Sequence, residues 1–125
     1  MKTTYFIATA LCAFATPALA QNMPVSTFLE KADALKAKGI MAMLSSDVGL
    51  LKAEVQAAAL SYRKERKASE ASGRKPEVCP PEKGSLNSDE LIAAFRMIPN
   101  EQRQRTSVKQ AWVGYMKRKY PCPKY

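Results

Sequence analysis

The side chains that could carry chemistry are few. The chain has 125 residues and no histidine. That removes Ser-His-Asp and Cys-His nucleophilic arrangements and most zinc-site patterns. Asp89 and Glu90 form an adjacent carboxylate pair. Neighbours along a helix do not face each other, and two acids in a first turn suit the helix dipole without any catalysis. The five glycines are scattered, so no glycine-rich loop is present to cradle a phosphate. There is no C-x-x-C and no EF-hand ligand ladder. No metal or cofactor is expected, and the chain reads as a non-enzyme, because no set of reactive groups converges.

Two cysteines remain as reactive groups once the first residues are set aside. Lys2, the apolar stretch Tyr5 to Ala15, helix-breaking Pro17 and the small residues Ala18 and Ala20 follow the pattern of a secretory signal peptide cut after Ala20. The apolar core is too short to hold the chain in a bilayer. Residues 1–20 are therefore expected to be a signal peptide, and 21–125 a single helical domain in the periplasm. Cys12 leaves with the leader, and Cys79 and Cys122 are left. An even cysteine count in an oxidising compartment predicts a Cys79–Cys122 disulfide.

The third chemical feature is charge. Twenty Lys and Arg oppose eleven Asp and Glu, a net charge of +9 that falls to +8 when Lys2 is removed. Arg63, Lys64, Arg66 and Lys67, followed by Arg74 and Lys75, make the densest positive stretch. One reading is a prong for an acidic protein, anionic lipid or polysaccharide. The other is a solvated helix end, with cations favoured by the C-terminal dipole. Nucleic acid is not expected in this compartment.

These groups must be placed by helices, because apolar residues recur at helical spacing and nowhere alternate as in a strand. The spacing predicts a first helix over about 27–38, opened by a Thr27–Glu30 capping box and closed by Gly39, with Gln21 to Val25 a flexible lead-in. A second runs over about 46–71, with core face Val48, Leu51, Val55, Ala58 and Tyr62 and a solvated far end. A third covers about 88–98, with an Asn87–Glu90 capping box and a stripe of Leu91, Phe95 and Ile98. A fourth covers about 106–119, with a Ser107–Gln110 capping box and the face Val108, Ala111, Trp112, Tyr115 and Met116. Trp112 and Tyr115 read as core, although the same rings could form a binding platform. The apolar run Ile40 to Leu44 also reads as core, since small domains rarely leave such a run in water. The alternative is a methionine-bearing patch awaiting a partner. The fold class is all-α: a small four-helix domain with one disulfide.

Cys79-Pro80, Ser88-Asp89-Glu90-Leu91, Pro99, the face from Val108 to Met116 and Pro121-Cys122 together resemble one known family. It is the Rap/Tai group of immunity proteins of type VI secretion, and the likeness covers about residues 78–123. The resemblance implies a periplasmic, all-helical and often dimeric protein that binds a peptidoglycan-cleaving amidase toxin and occludes its active site. Only the cysteines carry over; the basic second helix has no counterpart in the family pattern. The expected function is thus a periplasmic non-catalytic binding protein with a protein partner. The alternative is an envelope-associated module that holds anionic lipid or polysaccharide through Arg63 to Lys75.

Overall fold

A computed structural model describes residues 23–124, and the leader expected over residues 1–20 lies outside them. Four α-helices follow in order: α1 Val25–Lys38, α2 Ser46–Ala71, α3 Ser88–Arg96 and α4 Val108–Lys119. Short 3-10 helices occupy Gly39–Leu44 and Asn100–Gln102. Among the described residues there is no strand, only the isolated pairings Pro24–Ser107 and Val78–Pro121. The all-α, disulfide-tied fold read from the sequence is the one observed.

Local chemistry explains most helix ends. Ser45 accepts from the Asp47 N–H to start α2. Ser107 and Gln110 complete both halves of a capping box at α4. At α3 only half of the expected box forms. Asn87 accepts from the Asp89 and Glu90 N–H groups, while the Glu90 carboxylate reaches Lys119 of α4 at 2.8 Å instead. α3 also stops at Arg96, short of the expected 98, where Met97 and Ile98 tighten into i→i+3 bonds. Arg103 then donates from Nε to the Ile98 carbonyl at 2.9 Å and from Nη2 to the Arg96 carbonyl at 2.7 Å. One guanidinium thereby satisfies carbonyls that the end of α3 leaves open.

The start of α1 corrects the sequence reading. The helix begins at Val25 rather than Thr27, and no side chain caps it. Its free N–H groups are taken up by distant backbone: Val25 donates to the Thr106 carbonyl at 2.9 Å and Ser26 to the Arg103 carbonyl at 3.1 Å. Val108 donates in return to the Met23 carbonyl at 2.8 Å. The segment expected to be a flexible lead-in is therefore pinned from Met23 onward, and Val25 is fully buried. At the other end Gly39 has φ +57°, a conformation that glycine adopts without strain, and it ends α1 as expected.

One apolar core runs through all four helices. α1 supplies Phe28 and Leu29, α2 Val55 and Ala58, α3 Leu91 and Phe95, and α4 Val108 and Trp112. α2 and α4 form the most extensive helix pair. Phe95 is fully buried and meets Phe28 edge-on, with ring centroids 5.2 Å apart. The stripes read for α2, α3 and α4 are in the core, with Val48 and Ile98 only half-covered. Ile40 to Leu44 is the exception. The core layer ends at Leu35 and Leu51, and the run lies beyond it at the tip of the α1–α2 hairpin. Ile40 is 89% exposed and Met43 85%, so the core assignment for this run is overturned.

Cys79 and Cys122 are bonded, across a sequence separation of 43. Backbone bonds flank the bridge: Cys79 N–H to the Tyr120 carbonyl at 2.9 Å and Cys122 N–H to the Glu77 carbonyl at 3.3 Å. Beside it Val78 is 2% exposed and enters the core. Ion pairs join elements that are distant in sequence: Lys31–Asp47, Asp33–Arg96, Glu65–Lys109, Glu77–Lys117 and Glu90–Lys119. All are exposed or half-exposed, and such pairs add little stability each.

Two measurements test this account. A loop of 43 residues closed by a bridge is worth about 4 kcal/mol in the chain-entropy model. The Cys79→Ser, Cys122→Ser variant should therefore unfold at markedly lower urea, and the parent should do the same once reduced. Phe95→Ala removes a fully buried ring and should cost about 3–5 kcal/mol on the same curves. A loss below 1 kcal/mol would contradict its place at the centre of the core.

Candidate functional site

A groove of about 690 Å³ opens between the far end of α2 and the loop that follows Cys79. One wall is a single face of α2: Arg63, Arg66, Lys67 and Glu70, at spacings of three and four residues. The facing wall is Pro80, Pro81, Glu82, Gly84, Ser85 and Leu86. Its floor is aromatic, formed by Tyr62, Trp112, Tyr115 and Tyr120, with Met116.

Each part follows from a local cause. Pro80 and Pro81 hold the chain extended after the disulfide, before it turns towards α3. A Cβ built on Gly84 would lie 3.7 Å from the Tyr120 hydroxyl, so the loop rests on that ring. Trp112 and Tyr115 sit one helical turn apart on α4, with ring centroids 5.6 Å apart. They are 8% and 4% exposed. They belong to the core, as expected, and their outer edges also floor the groove.

Charge around the groove is mixed. Arg63, Arg66 and Lys67 form no ion pair among the described residues, whereas Glu70 and Glu82 sit on the opposing rims. The Arg66 guanidinium lies 5.9 Å from the centre of the Tyr62 ring, a cation–π approach. Its Nε is buried without an acceptor. Burial pushes the Tyr62 hydroxyl pKa upward, so the phenol stays neutral at physiological pH. Lys119 flanks the floor, with Nζ 5.4 Å from the Tyr115 ring centre and 5.5 Å from that of Tyr120. Its hydrogen bonds to Glu90 and to the Tyr115 hydroxyl raise its pKa and hold it charged.

The six basic residues singled out in the sequence thus part company. Arg63, Arg66 and Lys67 line the groove together. Lys64 is exposed and outside it, and so are Arg74 and Lys75 in the connection after α2. Cys79 and Cys122 do not line the groove; they fix the root of its loop wall. Sequence reading missed the loop wall and Tyr120, because nothing local tells that this loop folds back opposite α2. The proline pair and the tyrosine next to Pro121 were the available signals.

Glu54 was also missed. It lies on the inner side of α2, is 3% exposed, and its Oε2 has no hydrogen-bond partner among the described residues. Burial raises its pKa. The i+3/i+4 pattern gave the only available hint, since Glu54 falls between Leu51 and Ala58. It lies outside the groove lining, and no second titratable group pairs with it.

Comparison with family models, with curated proteins and with solved structures returned no match.

The pH response of Glu54 is opposite to that of the exposed acids. A carboxyl whose folded pKa is raised destabilises the fold as pH rises from its unfolded value through the folded one. Glu54→Gln should therefore raise the unfolding midpoint at pH 7, with the gain shrinking as pH falls towards 4. Asp33 and Glu77 have pKa values lowered, chiefly by hydrogen bonds from Arg96 and Lys117, so their contribution is lost on acidification. Thermal melts of the parent and Glu54→Gln from pH 4 to 8 test the sign. A gain that grows on acidification would refute the assignment.

Proposed function

We propose that this chain is a non-catalytic binding protein whose groove between α2 and the 80–86 loop receives a polypeptide segment of a partner. The observation that carries the reading is the pairing of an aromatic floor with unpaired arginines on one wall. Trp, Tyr and Arg are the residue types that dominate protein-binding hot spots. The segment carries acidic groups to meet Arg63, Arg66 and Lys67, and apolar or aromatic groups to cover the floor. A carboxylate on the Arg66 guanidinium would form a charge-assisted contact beside a Nε–H that has no acceptor of its own.

The partner class rests on the resemblance of residues 78–123 to type VI secretion immunity proteins. On that reading the protein acts in the periplasm after loss of its leader, and its partner is a peptidoglycan amidase toxin whose active site it covers. The groove supports the resemblance, because its loop wall and, apart from Tyr62, its floor come from that same C-terminal segment. The alternative, a module that holds anionic lipid or polysaccharide through the basic helix, is less favoured. A polyanion would meet Glu70 and Glu82 on the rims, and three of the six cations lie elsewhere.

The test is retention of type VI amidase toxins, and of proteins from periplasmic extract, on the immobilised chain from Gln21 onward. It is followed by a peptidoglycan-hydrolysis assay with the retained toxin. Arg63→Glu with Lys67→Glu should weaken the complex by about 2 kcal/mol, about 30-fold. Lys64→Glu, outside the groove, should change it no more than a few-fold. Retention of no amidase, or equal loss from both variants, defeats the reading. Binding to lipopolysaccharide that collapses steeply with salt would favour the alternative.

A further inference from the structure

The tip of the α1–α2 hairpin is the most exposed apolar feature of the described residues. Ile40, Met41, Met43 and Leu44 are 89%, 64%, 85% and 80% exposed, on a 3-10 helix of six residues. Leu50, on α2, is 42% exposed. With three residues per turn, Ile40 and Met43 stack in one row and Met41 and Leu44 in the next, while Gly39 and Ala42 make the third. Both apolar rows project past the last core layer at Leu35 and Leu51.

Charge decides which medium fits. Lys36 and Lys38 stand just behind the tip on α1, and Lys52 stands in the second turn of α2. All three are exposed and form no ion pair among the described residues. Asp33 and Asp47, the acids of this stretch, are paired with Arg96 and Lys31. The apolar tip is thus collared by uncompensated cations. A second copy would bring like charges together. It would also offer far fewer residues than the roughly 20–30 per side of a standard interface.

We propose that Ile40, Met41, Met43 and Leu44 insert into the headgroup region of an anionic phospholipid bilayer, with Lys36, Lys38 and Lys52 meeting its phosphates. Shallow apolar insertion and a basic patch are the two signals that together give a peripheral protein a stable hold. No helix among the described residues is long and apolar enough to cross a membrane, and this contact needs none. α2 has 26 residues and is about 39 Å long, with the tip at its start and the groove at its end. A chain held at the tip therefore keeps its groove clear of the lipid.

Vesicle co-sedimentation tests this with the chain from Gln21 onward, which holds every described residue and lacks the apolar leader. Binding to phosphatidylethanolamine–phosphatidylglycerol vesicles should exceed binding to phosphatidylcholine vesicles. Ile40→Ser with Met43→Ser, and separately Lys36→Ala with Lys38→Ala and Lys52→Ala, should each lower it at least about tenfold. Arg63→Ala with Lys67→Ala should leave it unchanged, so that failure here is distinct from failure of the groove reading. Met43→Trp should add blue-shifted emission on anionic vesicles only. Four results would overturn the proposal. They are no preference for the anionic vesicles, binding indifferent to the tip serines, binding indifferent to the lysine substitutions, and a lipid-free dimer that the serines dissolve.

Discussion

The Cys79–Cys122 bridge, with Val78 buried beside it, is the constraint on which the arrangement of this molecule turns. Without it the segment from Gly73 to Asn87 would be a tether between two helical hairpins. With it the segment is fastened to the end of α4 and closed by two backbone hydrogen bonds. The proline pair then sends the loop outward, and the face of α2 at Arg63 and Arg66 gains an opposite wall. Cross-linking so small a chain also lowers the entropy of its unfolded state, where a core of this size has little stability to spare.

A second constraint operates at the opposite end of the chain. Pro24 has no side chain able to cap α1, and the free N–H groups of that helix find carbonyls in the α3–α4 connection. Arg103 in the same connection satisfies the end of α3. One irregular stretch thus serves two helix termini, and the start of α1 is joined to the α3–α4 connection through backbone rather than through side chains. The core between the two junctions, centred on Phe28 and Phe95, is continuous.

Both candidate surfaces follow from how α2 is used. Its middle is core, through Val55, Ala58 and Tyr62. Beyond Tyr62 it becomes the cationic wall of a groove, and before Leu51 it meets the exposed tip. The charged end is solvated, as its composition indicates, yet Arg66 is half-covered and Glu65 is tied to Lys109 of α4. It is a wall braced against the body, not a free prong. The buried Glu54 lies between the two ends and serves neither surface.

The sequence by itself determined the helices, their apolar faces, most of their caps and the pairing of the cysteines. Each of these depends on residues within one or two turns of each other, or, for the cysteines, on the expectation that Cys12 lies in a leader and leaves one pair. Only the tertiary structure decided which apolar residues lie beyond the core. Ile40 to Leu44 has the composition of a core segment, but the hairpin turns there, past the last layer at Leu35 and Leu51. Only the fold decided that three of six clustered cations face an aromatic floor, since all of that floor but Tyr62 comes from α4 and the residue after it, and the wall from a distant loop. The cap of α1 has the same cause: Thr27 and Glu30 had the right spacing, but carbonyls from the α3–α4 connection reached the helix start two residues earlier. Local spacing encodes what each segment prefers, and the packing of distant segments selects which preference is used.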